Sequence, residues 1–453
     1  MSSPLPRPLL SRNSGLKLPL LVVFTIPFVV QVVVAVGLVG YLSFRNGQQT
    51  VENLIGQLQL EIGNRVNLYL TGFITKAELL NQVTVDAVNR GDISLDLNVT
   101  RPSRDRFLWQ QMQKLDSISW VSLSAQQRGE FLGVTRKDNT WQIKVVNSKT
   151  NYQSTYYAID PIGRRTQRLN AEPRRYDARL HPWYKAAQKA RQPIWSPIYP
   201  GATLGTSSMT IAQPIYDRQA NLRGVVASSF ALQSIEKYLA NLNISPKGKV
   251  FLVERSGLIV ASSTPESPFL LDAQGNLRQR LASESDVPLI RSTAQTLQRS
   301  FPSFSTLQNQ QKIEFTQNSE RQFVQIRPLR NEHGIDWLMV MVIPEGDFMA
   351  QIHHNTRHTI GLCSIALLIA TLTGACTARW VTLPISRLDR AAKDIAAGRF
   401  DDQIHLDRSD ELGSLSTSFN QMAIQVQASF KALQASEQRL ASFLETVPCG
   451  GLP

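Results

Sequence analysis

Thr359-Ile-Gly-Leu-Cys-Ser-Ile-Ala-Leu-Leu-Ile-Ala-Thr-Leu-Thr-Gly-Ala-Cys-Thr-Ala378 is an uncharged apolar run, with Arg357 and His358 before it and Arg379 after it. About 20 residues of this kind are enough to cross a bilayer as a helix. Pro384 follows directly, and then Ile385, Leu388, Ala392 and Ile395 recur at a 3-4-3 spacing, which is a heptad seam. Gly398 and the polar stretch Arg399 to Ser409 interrupt it. The seam resumes at Leu412, Leu415, Phe419, Met422 and Val426, behind Ser409 as the expected N-cap and Asp410-Glu411 in the first turn.

A membrane helix that runs into two short amphipathic helices joined by a connector resembles the HAMP signal-relay domain. The resemblance covers residues 379–428 and rests on Pro384, Gly398, Ile404, Leu406 and Asp410-Glu411-Leu412. It implies a parallel four-helix bundle in a homodimer, because neither helix can bury its stripe alone.

A second apolar run, residues 18–44, follows Arg7, Arg12 and Lys17. It is longer than a signal-peptide core and is not followed by a small-residue cleavage site, so it reads as an uncleaved span. Basic residues before it and after residue 378 put both ends in the cytoplasm, with residues 45–357 outside and the chain in the inner membrane. The net charge of +13 comes from scattered Lys and Arg without a basic-aromatic run, so no nucleic-acid partner is expected. Cys363, Cys376 and Cys449 all lie outside the 45–357 region. That region therefore has neither a structural disulfide nor a cysteine-based metal site.

From Gly47 to about Val88 the sequence lacks proline and repeats Leu54, Leu58, Ile62, Val66, Leu70 and Phe73, as a long amphipathic helix would. From Ile118 the period changes. Segments 118–123, 130–134, 140–146, 209–216 and 224–230 read as strands of an antiparallel sheet, and 233–242 as a helix. A second α+β unit follows: a hairpin at 249–262 turning at Arg255-Ser-Gly257, and strands at 320–328 and 337–343. Loops and helix are expected over 265–311.

A long helix followed by two α+β lobes between two spans resembles the double Cache sensor, with a first lobe at about 90–242 and a second at about 247–345. The marks are Asp177-Ala-Arg-Leu-His-Pro-Trp-Tyr-Lys-Ala-Ala187, Trp195-Ser-Pro-Ile-Tyr199, Ile211-Ala-Gln-Pro-Ile-Tyr216, Glu254-Arg-Ser-Gly-Leu-Ile259 and Ile343-Pro-Glu-Gly-Asp-Phe348. The resemblance implies an extracellular small-molecule ligand in the first lobe. Tyr176, Trp183, Tyr184 and Tyr199 fall on the aromatic positions of the amino-acid-binding subset. His181 stands where its carboxylate-clamping arginine belongs, and Ser228 or Ser229 stands where its ammonium-pairing aspartate belongs. A neutral imidazole and a hydroxyl do not balance a zwitterion. The expected ligand-binding set is Tyr176, Arg179, His181, Trp183, Tyr184, Tyr199 and Ser229, with Arg179 a substitute cation. A carboxylate, a polyol or another polar solute is as good an expectation as an amino acid.

Phosphate loops, metal-spaced His/Cys sets and nucleophile elbows are missing, so neither a catalytic centre nor a cofactor is expected. His353, His354 and His358 beside the second span read as solvated polarity, since adjacent histidines point to different faces of a helix. Residues 429–442 read as a coiled-coil linker. Phe443-Leu-Glu-Thr-Val-Pro-Cys-Gly450 resembles the entry to a cytoplasmic PAS domain, too short here to bury a core. The expected whole is the front of a two-component-type receptor whose missing output is a sensor histidine kinase or nucleotide cyclase. A chemoreceptor and a non-signalling remnant are the alternatives.

Overall fold

The computed structural model describes residues 20–115, 118–137, 140–201, 207–399, 404 and 406–445. The expected N-terminal tail, most of the PAS-like piece, His405 and Cys449 lie outside them. The chain divides into two units, Gln48–Ile352 and the flanking residues Met1–Gly47 with His353–Pro453.

The first unit is α+β, as the change of period predicts. Helix α1 (Leu20–Asn89) enters it from the apolar N-terminal run without a break. Its buried stripe is Val51, Ile55, Ile62, Val66, Leu70, Phe73 and Ala77. Leu54, expected in that stripe, is exposed, because the 4-4-3 rotation set by Val51 and Ile62 brings Ile55 inward instead. After α2 (Pro102–Gln113) come β1 (Trp120–Ala125), β2 (Phe131–Lys137), β3 (Thr140–Val146), β4 (Gln153–Ile159) and β5 (Arg165–Arg175). Helix α3 (Pro182–Ala190), β6 (Ile194–Trp195), β7 (Tyr199–Pro200), β8 (Ser207–Tyr216), β9 (Leu222–Ala231) and α4 (Gln233–Ala240) complete the first lobe. Its antiparallel sheet runs β5-β4-β3-β2-β1-β9-β8-β6, with β7 also on β8.

Strand alternation splits this sheet into two chemically different faces. Val121, Leu123, Leu132, Val134, Ile143, Val145, Ile211 and Phe230 pack with α1. Each such side chain contributes about 1.5–3 kcal/mol on burial. The opposite face carries Phe131, Val146, Ala212 and Ala227 and meets Ala178, Trp183, Tyr184 and Ala187. Sequence reading missed β4 and β5. Nearly all of β5 is exposed and charged or polar, so an edge strand of this kind has no buried period to read.

The second lobe contains β10 (Lys249–Glu254), β11 (Ile259–Ser262), the small hairpin β12 (Phe269–Leu271) and β13 (Leu277–Gln279), α5 (Pro288–Ser300), β14 (Gln311–Gln317), β15 (Glu320–Arg330) and β16 (Asp336–Pro344). The sheet order is β11-β10-β16-β15-β14. Gly257 takes φ +86° at the predicted hairpin turn, a conformation glycine adopts without cost. One face of this sheet shares the α1 core through Val250, Leu252, Met339 and Met341, and the other buries Ile290, Ala294 and Leu297 of α5.

In the other unit, α6 (Gly346–Ala396) contains the 359–378 run and continues through Pro384, and α7 spans Glu411–Glu445. Among the described residues two helices are long and apolar enough to cross a membrane, and in each the apolar window is unburied by protein. Gly398 ends α6 at φ +79°. The N-cap of α7 is Asp410 rather than Ser409: its Oδ1 accepts from the Gly413 amide at 3.2 Å. The adjacent Arg408 guanidinium holds that carboxyl below the usual range. Two described connector residues are tied down locally. Asn420 of α7 brackets the Ile404 backbone, accepting from its N–H at 3.1 Å and donating to its carbonyl at 2.7 Å. Arg408 lies 3.9 Å over the Trp380 ring and donates to the Trp380 carbonyl at 3.0 Å. Of the expected seam, Pro384 and Leu388 are buried, and Ile385, Ile395, Leu412 and Phe419 are half-buried. Ala392, Leu415 and Met422 are exposed in the single protomer.

Candidate functional site

The face of the first-lobe sheet turned away from α1 gathers most of the expected residues. Tyr176 precedes the turn Ala178–Leu180, where Asp177 caps the chain by accepting from the Arg179 amide at 3.0 Å. That turn delivers His181 to the N-cap of α3, and Pro182 starts the helix without needing an amide donor. Trp183 and Tyr184 then point inward and are buried. The rings form a run: Tyr176 to His181 is 4.7 Å between centroids, His181 to Trp183 is 6.3 Å, and Phe131 of β2 stands edge-on to Tyr176 at 5.2 Å.

The polar side of the site is a hydroxyl chain. Tyr199 Oη and Thr210 Oγ1 are 2.5 Å apart, and Thr210 Oγ1 and Ser229 Oγ are 2.7 Å apart. Register assigns the two serines that sequence left open. Ser229 pairs with Thr210 on the site face, whereas Ser228 donates to Asn81 Oδ1 of α1 at 2.6 Å through the other face. Two expected residues are committed elsewhere. Arg179 holds Asp177 through Nη2 at 2.7 Å and donates to the Gln126 carbonyl at 3.2 Å. The Tyr184 hydroxyl donates to Gln126 Oε1 at 2.6 Å.

Sequence reading missed Lys144. On β3 it lies opposite Gly133 and Tyr156, on the site face, and only 8% of it is exposed. Its Nζ is 3.7 Å from the Tyr176 ring centroid, 5.5 Å from that of Phe131 and 5.8 Å from that of Tyr156. A lysine between Ile143 and Val145 was the available signal, because strand alternation turns it away from the α1 core. Burial lowers its pKa to about 8, with the Glu172 charge opposing. Burial, then the Lys144 charge, also holds His181 below the usual imidazole range. A cavity of about 420 Å³ is lined among others by Trp120, Gln142, Glu172, Ser208 and Tyr156, the last of these the strand partner of Lys144. Among the described residues no cluster of His, Cys, Asp and Glu fits a metal ion.

Comparison with known proteins agrees with this architecture. The Cache domain description dCache_1 matches residues 47–352, and the HAMP domain description matches residues 376–428. The methyl-accepting chemotaxis protein PscA of Pseudomonas syringae is 24% identical over 63% of this chain and 42% of its own length. McpA of Pseudomonas putida, another methyl-accepting chemotaxis protein, is 26% identical over 66% of this chain and 43% of its own length. The ligand-binding domain of the Pseudomonas aeruginosa PAO1 amino acid chemoreceptor PctC, solved in complex with GABA, aligns with TM-score 0.39 and 19% identity over 64% of this chain and 99% of that one. The chain spans about two fifths of the length of the curated relatives it matches. With the Cache description covering more than half of its residues, the chain belongs to the dCache_1 family of Cache domain proteins.

Proposed function

We propose that this chain is a two-span receptor of the inner membrane that senses a small extracytoplasmic solute in its first Cache lobe and passes the signal through HAMP to a cytoplasmic output. The observation that carries the reading is the back-to-back pair Ser228 and Ser229. Ser229 belongs to the hydroxyl chain of the site, and its neighbour Ser228 is bonded to Asn81 of α1, which also donates to the Ile211 carbonyl at 2.8 Å. A solute that engages the hydroxyls moves β8 and β9, and those strands hold the helix that runs to the first span. Ligand binding shifts an equilibrium only by its differential affinity for the two states, and these contacts are where that difference arises.

In this reading two protomers assemble a parallel HAMP bundle, because the seam residues Leu415 and Met422 are both 53% exposed in one chain. The output is a sensor histidine kinase or cyclase reached through the helix beyond Val426. A chemotaxis output is the second reading, favoured by the names of the relatives. The nucleotide sequence downstream of the Pro453 codon separates them.

The test is disulfide trapping in native membranes, with Cys363, Cys376 and Cys449 replaced. Leu415→Cys is expected to cross-link between protomers, at a rate that changes severalfold when a solute that stabilises the sensor is added. Gln421→Cys, on the outer face away from the seam, is expected to cross-link at least tenfold more slowly. Equal rates at the two positions contradict the bundle, and a solute-independent rate at Leu415→Cys contradicts relay through it.

A further inference from the structure

We infer that the first-lobe site takes a small organic anion, a carboxylate without an α-ammonium group, and that Lys144 is the cation that meets it. The inference rests on the receptor reading above and names the ligand class of that same site.

The charge inventory of the site is one-sided. Lys144 is more than nine-tenths buried, and among the described residues no carboxylate forms an ion pair with its Nζ; Glu172 acts on it only as a charge at a distance. Its neighbours are the faces of Tyr176, Phe131 and Tyr156, which attract a cation without neutralising it. The two nearby carboxylates are already engaged: Glu172 is exposed and accepts from the Tyr156 hydroxyl at 2.9 Å, and Asp177 is held by Arg179. An α-ammonium would therefore meet the buried Lys144 cation, and the nearest carboxylates lie at the exposed rim, Glu172, or in an ion pair, Asp177 with Arg179. A carboxylate supplies the missing charge, and the Tyr199–Thr210–Ser229 hydroxyls offer it further hydrogen bonds.

A buried charge without a partner costs stability unless something repays it. The depressed pKa gives the sign: the folded chain binds this proton less tightly than the unfolded chain. The penalty is fully present below about pH 8 and disappears as pH rises towards the ordinary lysine value of 10.5. The titratable groups that face Lys144 are Tyr156 of β4, Glu172 of β5, and Tyr176 and His181 ahead of α3.

The test is titration calorimetry on the full chain in nanodiscs with three matched pairs: propionate and L-alanine, succinate and L-aspartate, and 3-phenylpropionate and L-phenylalanine. At least one deaminated acid is expected to bind tenfold or more tightly than its amino acid. Its affinity is expected to fall about tenfold per pH unit above pH 8. Lys144→Met is expected to lower that affinity at least 30-fold and Lys144→Arg less than tenfold. Without ligand, Lys144→Met is expected to raise the Tm at pH 7, with the gain shrinking by pH 10, whereas a lysine with only a packing role gives a lower Tm at both. Tighter binding of the amino acids, unchanged affinity in Lys144→Met, or no binding by any of the three carboxylates overturns the inference. The first two outcomes leave the receptor reading intact, since a solute still binds and the seam cross-linking tests relay separately.

Discussion

Arg104→Ala is expected to destabilise the sensor by about 3–5 kcal/mol, the range for a buried charged group whose partners are left behind. Arg104 of α2 is 1% exposed. Its Nη1 donates to the Ser94 and Asp96 carbonyls at 3.0 and 2.8 Å, and its Nη2 donates to the Val99 carbonyl at 2.9 Å. These three acceptors belong to the loop between α1 and α2, which has no regular structure to satisfy them. Beside it, Asp105 is 1% exposed and accepts from Arg165 of β5 at 2.8 Å, so α2 also ties down the edge of the sheet. Alanine strands the carbonyls and opens a cavity, and Asp105 keeps Arg165 alone. Arg104→Met fills the space without donors and isolates the hydrogen-bonding share. For a unit of this size the loss corresponds to a fall in Tm of about 5–8 °C. Thermal unfolding of the full chain in detergent reads it, and a loss below about 1 kcal/mol refutes the argument.

The second large effect is expected at Glu78 of α1. Its Oε1 accepts from Trp195 Nε1 at 2.9 Å and Asn331 Nδ2 at 2.8 Å and lies 2.9 Å from His333 Nδ1. Trp195 belongs to the first lobe, whereas Asn331 and His333 belong to the turn between β15 and β16 of the second. The Trp195 amide also donates to the His333 carbonyl at 2.8 Å. One carboxylate oxygen thus joins the helix to both lobes, less than one turn from Asn81, which reads β8 and β9. Glu78→Ala leaves three donors without that acceptor and is expected to cost about 2–3 kcal/mol. It is also expected to weaken the solute response of the seam cross-link more than solute binding itself. Glu78→Gln keeps one amide oxygen and is expected to lose about half as much stability, which separates charge from geometry. Equal losses of binding and of response in Glu78→Ala refute a coupling role.

The architecture was legible where burial leaves a period. The alternation in Thr140–Val146 and the helical stripe before Val88 each report one face turned to a core, and the heptad spacing of Ile385 to Met422 falls within the residues that the HAMP description matches. What escaped has a physical reason in each case. Strand β5 has no buried face, so its Arg-rich sequence reads as a loop. The stripe of α1 slipped by one residue at Leu54, because Leu54 and Ile55 are equally apolar and only packing chooses between them. On the candidate site face, the aromatic residues were visible from motif spacing, but the buried Lys144 was not. Motif matching pointed to the neighbourhood of His181, two residues from Arg179, while the buried charge arrives from β3, more than 30 positions away in sequence. Whether Ser228 or Ser229 faces the site depends on strand register, which a serine pair does not reveal.

The account depends on the Cache unit and the HAMP region standing on opposite sides of a membrane. The Cache unit has no native cysteine, and Leu180 is 68% exposed, so Leu180→Cys offers a clean target once Cys363, Cys376 and Cys449 are replaced. The direct measurement is reaction of a membrane-impermeant maleimide with Leu180→Cys and, separately, Ser414→Cys in intact cells. The account predicts labelling at 180 without permeabilisation and at 414 only after it. Protection of 180 in intact cells, or labelling of 414 there, would contradict it.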